Sequence, residues 1–233
     1  MRPSNPTNIV IQNKYVEVTE RDLYNFWIQS KENILKNVTN NVFFYFSTKL
    51  NKSIVRRYEE KNKPFTLSNF NYENKLNGHI VGIVSLFDQY SNFGIIDIDA
   101  PGDSDEIISD SVFNNVKQAT LDIYSYMSKF NDCKIIYTGK NGFHIYVYFQ
   151  RRYTLNTIKK LIQDRLSEND SISKNYTMQQ KRGSDKINLD LNINKTNGGF
   201  ITLGSINKIG LKSVELSKNS ILNFNRSSVG IIW

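Results

Sequence analysis

Apolar residues along this chain switch between a period of two and a period of three to four, and the switches divide it into strands and helices. Residues 8–18 alternate like a strand. Thr19-Glu20-Arg21-Asp22 then reads as a helix start, with a hydroxyl cap and an acid three residues on. Leu23, Trp27, Ile34 and Leu35 would form the buried stripe of that helix. Val42-Phe43-Phe44-Tyr45-Phe46 and Ser53-Ile54-Val55-Arg56-Arg57-Tyr58 are strand-like, and the polar stretch 59–77 predicts loops or insertions. Two runs rich in β-branched residues follow, 80–87 and Gly94-Ile95-Ile96-Asp97-Ile98-Asp99-Ala100, with the pattern of neighbouring central strands.

The clearest helix carries Ile108, Val112, Val116, Ala119, Ile123 and Met127 at steps of three and four and ends near Asn131. A strand over 134–137, a tight polar turn over 138–142 and a returning strand over 143–149 come next. A second amphipathic helix after Thr154 is predicted to bury Ile158, Leu161, Ile162 and Leu166. The polar stretch 167–184 reads as loop, and 187–193, 199–203, 214–216 and 230–233 read as strands. There is no internal repeat and no low-complexity linker. Hairpin-like strands with few helices place the chain in the α+β class.

Composition narrows the picture. A chain of 233 residues that is 39% hydrophobic and 12% aromatic can bury a sizeable core, as one domain over 1–233 or as two packed lobes. No run approaches the roughly 20 apolar residues of a membrane span, so no membrane partner is expected. Met1-Arg2-Pro3-Ser4-Asn5 opens without an apolar signal core, and the expectation is an intracellular, non-secreted protein. Cys133 is the single cysteine, and His79 and His144 are the two histidines. An internal disulfide is ruled out and a Cys/His zinc site is not expected, which leaves carboxylates to hold any metal. A formal charge of +8, from 30 Lys and Arg against 22 Asp and Glu, suits a polyanionic partner such as nucleic acid. A solvated basic surface would have the same charge.

Four segments carry candidate chemistry. Asp97 and Asp99 stand two apart on a strand, so both project from the face opposite Ile96 and Ile98. Two like charges that close repel, and a hard divalent cation such as Mg²⁺ or Mn²⁺ would relieve them; a solvated strand end before Pro101-Gly102 is the plainer alternative. In Thr138-Gly139-Lys140-Asn141-Gly142-Phe143-His144, two glycines flank a Lys-Asn pair, so backbone N–H groups, Lys140 and the Thr138 hydroxyl could meet an anion that His144 also reaches. An ordinary hairpin turn fits the same residues. In Lys186-Ile187-Asn188-Leu189-Asp190-Leu191-Asn192-Ile193, Asn188, Asp190 and Asn192 share a polar face, and Asp190 needs water, a partner or a metal there. Thr202-Leu203-Gly204-Ser205-Ile206-Asn207-Lys208-Ile209-Gly210-Leu211-Lys212 has the small and basic residues of a phosphate or sugar contact, or simply of a turn.

Taken in order, these segments resemble the motifs of the archaeo-eukaryotic primase superfamily, above all the catalytic small subunit of DNA primase. In that family an apolar strand ends in Asp-x-Asp, as Ile96-Asp97-Ile98-Asp99 does. A Ser-Gly-x-x-Gly-x-His motif follows, matched from Thr138 to His144 with Thr in place of Ser. Leu189-Asp190-Leu191-Asn192-Ile193-Asn194-Lys195 is similar to the third motif, and Gly204-Ser205-Ile206-Asn207-Lys208-Ile209-Gly210-Leu211 echoes the late Gly-Ser element. Ile54-Val55-Arg56-Arg57-Tyr58 looks like the family's apolar-Arg-Tyr strand, so the likeness spans about 43–216. Asn207 stands where the family has a late histidine, and Thr202 lies near the place of a basic residue. The zinc-binding cysteines are missing, and the acidic loop after Asp99 resembles that of the polymerase domain of bacterial end-joining ligases, a sister group.

The resemblance implies a primase-type catalytic core, with an RRM-like sheet packed against a second α/β unit and no zinc subdomain. It implies a template-directed nucleotidyltransferase, a primase or primase-polymerase, that adds nucleotides from NTPs or dNTPs. Asp97, Asp99 and Asp190 would be the catalytic residues and would hold two Mg²⁺ or Mn²⁺ ions. Thr138, Gly139, Lys140, Asn141, Gly142, His144, Ser205 and Lys208 would grip the triphosphate, and Arg56 and Arg57 would track a single-stranded DNA template. A primase large subunit, a helicase or another replication protein is a compatible partner. The alternatives are an end-joining or gap-filling polymerase of the same superfamily, a non-catalytic nucleic-acid-binding module, and an Asp-x-Asp glycosyltransferase, which would leave the His144 loop and Asp190 without a role.

Overall fold

The computed structural model describes residues 10–12, 17–37, 39, 41–47, 53–56, 65–66, 80–101, 107–178, 186–206 and 211–230. Its antiparallel sheets and flanking helices make a mixed α and β chain. The chain divides into two compact units, one of Met1–Leu86, Gly199–Val214 and Asn225–Trp233, the other of Phe87–Gly198 and Glu215–Phe224.

In the first unit, β1 (Val10–Gln12) and β2 (Glu17–Thr19) pair as a small hairpin, and α1 (Glu20–Leu35) follows. The main sheet holds β3 (Asn41–Ser47), β4 (Ser53–Arg56), β6 (Ile80–Leu86) and β11 (Gly199–Ile201) in the order β11-β6-β3-β4, with the short β5 (Phe65–Thr66) on β3. Phe26 and Ile34 of α1 and Ile83, Val84 and Leu86 of β6 are buried. A run of hydroxyl groups is buried with them. Ser85 Oγ and Thr202 Oγ1 share a hydrogen bond of 2.8 Å, Ser213 Oγ donates to Thr202 O at 2.7 Å, and the Ile83 N–H donates to Ser205 Oγ at 2.6 Å. Each bond removes a desolvation cost that an unpaired buried polar atom would carry.

The second unit runs β7 (Tyr90–Asp99), α2 (Asp110–Met127), β8 (Cys133–Tyr137), β9 (Phe143–Thr154), α3 (Leu155–Ser167), α4 (Asp170–Asn175), β10 (Asn188–Asp190) and β12 (Val214–Leu216). The sheet order is β10-β7-β9-β8-β12. Without β12, this is a β-α-β-β-α-β chain whose first and third strands are central, the split β-α-β arrangement. Both crossover helices, α2 and α3, cover one face. Ile96, Ile98, Phe143, Ile145, Val147, Ile135 and Leu189 point to that face by their alternation and cross-strand register, and all are buried. Against them α2 buries Val116, Ala119, Ile123 and Met127, and α3 buries Leu155, Ile158, Ile162 and Leu166. Apart from Ala119, side chains of this size contribute roughly 1.5–3 kcal/mol each on full burial.

The helices start where the local chemistry satisfies their first N–H groups. Ser109 Oγ accepts from the Val112 N–H, and Asp110 lies at the positive end of the α2 dipole. Thr154 Oγ1 does the same for Thr157 in α3. Leu161, expected on the buried stripe, is 41% exposed, because the stripe runs through 155, 158, 162 and 166 and leaves it on the outer side. The stretch 167–184, expected as loop, contains α4, capped by Asn169 and held by the single buried residue Ile172. β9 continues past Phe149 to Thr154, pairing with Tyr90 and Ser91, and β10 stops at Asp190 instead of running through 193.

Candidate functional site

The polar face of the second unit's sheet gathers the side chains that the sequence motifs single out. On β7 this face carries Phe93, Ile95, Asp97 and Asp99; on β9 it carries His144, Tyr146 and Tyr148. β10 lies antiparallel to β7 with Asp190 opposite Asp97 and Asn188 opposite Asp99. On the other side of β7, His144 stands opposite Asp97. Three carboxylates and an imidazole thus come from three adjacent strands, although Asp190 is about ninety residues from Asp97 in sequence.

Directly opposed residues on antiparallel strands have Cβ atoms roughly 4.5–5.5 Å apart, and like charges at that spacing repel. His144 relieves part of this, with Nε2 3.3 Å from Asp97 Oδ1. The histidine is buried, whereas Asp97 keeps 23% of its side-chain surface exposed and Asp99 is exposed. Asp190 Oδ1 accepts the Asn192 N–H at 2.7 Å, which turns the chain out of β10. His144 Nδ1 and Asn188 Oδ1 are buried and have no hydrogen-bond partner among the described residues. Both are uncommon in a folded interior and mark this face as polar beyond structural need.

The loop between β8 and β9 is closed by its own backbone. Thr138 Oγ1 donates to Gly142 O at 2.9 Å, the Thr138 N–H donates to the same oxygen at 3.2 Å, and Tyr137 Oη donates to Lys140 O at 2.9 Å. Gly139 takes a φ of 90°. Asn141 Oδ1 accepts the Ile108 N–H at 3.2 Å, tying the loop to the segment that enters α2. Gly142 lies close against Asp99: a Cβ there would stand 2.6 Å from Asp99 Oδ1 and 2.7 Å from Ile98 O. The site face continues as aromatic surface. Phe93 stacks on Tyr146 at 5.4 Å, and the Tyr146 phenol is held above its ordinary pKa by burial first, then by Tyr148 and the Asp97 charge.

The oxygen donors offered here suit a hard divalent ion. Among the described residues, no three His, Cys, Asp or Glu side chains are close enough to grip one as they stand. Asp97 is turned to His144 and Asp190 to the Asn192 N–H.

The other motif residues fall elsewhere. Ser205 belongs to the first unit, buried, with its oxygen on the Ile83 N–H. Arg56 ends β4 opposite Phe44, and its side chain, Arg57 and Lys208 lie outside the described residues. Thr202, near the family's basic position, is buried and bonded to Ser85. The motifs did not single out Asn194 as a site residue, yet its amide binds the backbone of β7 two residues before Asp97.

Among solved structures, the chain matches the polymerase domain from Mycobacterium tuberculosis ligase D in complex with DNA. The TM-score is 0.65 and the identity 9%, over 89% of this chain and 85% of that one. At that identity the likeness is one of fold. No family model and no curated protein matches the sequence. No helix among the described residues is long and apolar enough to cross a membrane.

Proposed function

We propose that this chain is a template-directed nucleotidyltransferase of the archaeo-eukaryotic primase type, and that its second unit is the RRM-like sheet carrying the catalytic acids. The observation that carries the reading is the register across β10, β7 and β9, which sets Asp190 and His144 on either side of Asp97. Its motif order and its fold likeness to a polymerase domain bound to DNA support it.

Asp97, Asp99 and Asp190 are the candidate ligands for Mg²⁺ or Mn²⁺. Divalent ions there would lower the pKa of an attacking 3′ hydroxyl and neutralise the leaving pyrophosphate. The three carboxylates orient that charge on one face of a sheet whose other face is core. The Thr138–Gly142 loop, closed by its own hydrogen bonds, offers Lys140 and backbone N–H groups to the triphosphate beside His144. The imidazole has Nε2 on Asp97 at 3.3 Å and a buried Nδ1 with no hydrogen-bond partner among the described residues, so its polarity exceeds what the described protein groups use. The net charge of +8 would draw a nucleic-acid backbone to the surface.

A single-stranded template, with and without a primer, incubated with Mn²⁺ or Mg²⁺ and labelled NTPs or dNTPs, tests the reading. Template-dependent extension is expected. It should fall at least a thousandfold in Asp97→Ala with Asp99→Ala, and undiminished synthesis by that variant would sink the carboxylate assignment. Extension confined to primed or gapped templates would favour the end-joining or gap-filling reading, which the fold likeness to a ligase polymerase domain suggests. Asp97 and Asp190 are turned to protein partners, which is the observation that favours a non-catalytic nucleic-acid-binding module. DNA binding without synthesis, indifferent to divalent ions, would establish that module.

A further inference from the structure

The chain leaves β10 immediately after Asp190, yet the edge of β7 beyond that point is not left bare. The Ile95 N–H donates to Asn194 Oδ1 at 2.7 Å, and Asn194 Nδ2 donates back to Ile95 O at 2.7 Å. The same Nδ2 also reaches Leu191 O at 3.1 Å. In an antiparallel ladder the N–H and C=O of every second residue face the same neighbour. Ile95, Asp97 and Asp99 are therefore successive members of one series. Asn188 and Asp190 stand opposite the last two, and the amide of Asn194 supplies the third rung. A side chain thus completes the pairing that the strand itself abandons.

Space has been cleared for this contact. Asn194 is 1% exposed. A Cβ on Gly94 would stand 3.1 Å from Asn194 Oδ1 and would collide with Ile158 of α3, so only glycine lets helix and amide both meet the strand. The return to Asn194 is itself tightly wound. Asp190 Oδ1 accepts the Asn192 N–H, and the Asn194 N–H donates to Leu191 O.

We propose that Asn194 is a positioning residue for the carboxylate centre: its amide bonds to Ile95 fix the register that sets Asp190 opposite Asp97. This rests on the reading of Asp97, Asp99 and Asp190 as a divalent-ion site, and it gives that site a residue that touches neither ion nor substrate. Loss of the amide would leave the Ile95 N–H and C=O to be met by sliding backbone, and Asp190 would no longer be held against Asp97.

The test is Mn²⁺ binding to the full chain, read from the electron paramagnetic resonance signal of the free aqua ion and independent of turnover. Outer-shell partners of metal ligands change affinity about 10- to 100-fold, so Asn194→Ala should weaken Mn²⁺ binding at least tenfold. Asn131→Ala serves as the control for ordinary loss of a half-buried side-chain amide bond. Asn131 Nδ2 donates to Tyr148 O at 2.9 Å, away from the acids, and its removal should lower thermal stability while leaving Mn²⁺ affinity unchanged. Asn194→Asp keeps the acceptor for the Ile95 N–H and loses the donor, and it carries the same expectation should Asn194→Ala not fold. Wild-type affinity in either folded Asn194 variant would overturn the proposal. So would failure of both to fold, which would make Asn194 a determinant of the fold alone. A wild-type chain that binds no Mn²⁺, or binds it equally well as Asp97→Asn, would overturn the carboxylate site itself.

Discussion

Gly142→Ala is a small change whose cost can be worked from the geometry. The new Cβ would sit 2.6 Å from Asp99 Oδ1 and 2.7 Å from Ile98 O. Neither separation is one that a carbon and an oxygen hold without displacement. The two contacts differ in how they can yield. Asp99 can rotate its carboxylate away, but Ile98 O belongs to the β7–β9 ladder, where Ile98 pairs with Phe143. Overpacking of this kind costs about 1–3 kcal/mol. Removal of a glycine from the unfolded chain returns about 0.4–1 kcal/mol. The difference of the two ranges centres on about 1.3 kcal/mol, with a span of about 0–2.6 kcal/mol, and the central figure is roughly 3–5 °C in Tm for a chain of this size. Activity should fall further than stability, because a shift of about 1 Å in a reacting group can cost about a hundredfold. Urea denaturation and primer extension with Mn²⁺ measure the two effects separately. In an Asp99→Ala background the first contact disappears and the second persists, so the stability cost of Gly142→Ala should shrink without vanishing. A Gly142→Ala protein within about 0.5 kcal/mol of wild type and fully active would refute the close approach and the placement of Asp99 that depends on it.

Ser205→Ala should separate a structural hydroxyl from a nucleotide contact. It strands the buried Ile83 N–H, at a cost of about 1–3 kcal/mol in urea unfolding, and the KM for nucleotide should stay at its wild-type value. Cys133 should behave as an inert thiol, since burial, and then the charge of Asp132, push its pKa up to about 12. Ellman's reagent should therefore react much more slowly with folded than with urea-unfolded protein at pH 8. Because the folded pKa lies above the unfolded one, the Cys133 contribution to stability is complete below about pH 9 and is lost as pH rises toward about 12. Cys133→Ser should flatten the urea midpoint across that window.

Much of the second unit was legible because its helices and central strands obey their own periods. Val116, Ala119, Ile123 and Met127 fall on one side of α2, and the alternation of β7 sends Asp97 and Asp99 away from Ile96 and Ile98. Polar segments were less legible for a physical reason: they hold their structure through partners that the local pattern does not name. The strand expected over 143–149 runs on to Thr154, because Tyr90 and Ser91 lie beside its last residues. Asp170–Asn175 forms α4 around one buried isoleucine, and its one local signal was the cap at Asn169, whose Oδ1 accepts the Ile172 N–H. Leu161 fits a hydrophobic stripe by spacing alone, but the row that meets the sheet runs through Leu155, Ile158, Ile162 and Leu166 and leaves Leu161 at its outer edge. Asn194 was hidden for the same reason. Nothing in its neighbours shows that its amide will meet a strand ninety-nine residues away.

The candidate site follows from a choice of register, and two different forces make that choice. A slip of one residue between β10 and β7 would turn Leu189 outward and drive Asp190 into the face where Ile98 and Ile145 are fully buried. An unpaired carboxylate there would cost several kcal/mol, so the hydrophobic core forbids the slip without any help from the site. A slip of two residues is different. It keeps Leu189 inside and Asp190 outside, and the core barely distinguishes it from the observed pairing. It would nevertheless move Asp190 from Asp97 to Ile95 or to Asp99. What opposes it is specific hydrogen bonding: the Asn194 amide on both backbone groups of Ile95, and the turn that Asp190 itself starts by accepting the Asn192 N–H. Period-two patterning can therefore put three acids on one face, but it cannot bring them level. That last step belongs to a side chain outside the acidic motifs, and for this reason substitution at Asn194 tests the site more sharply than another change in the core.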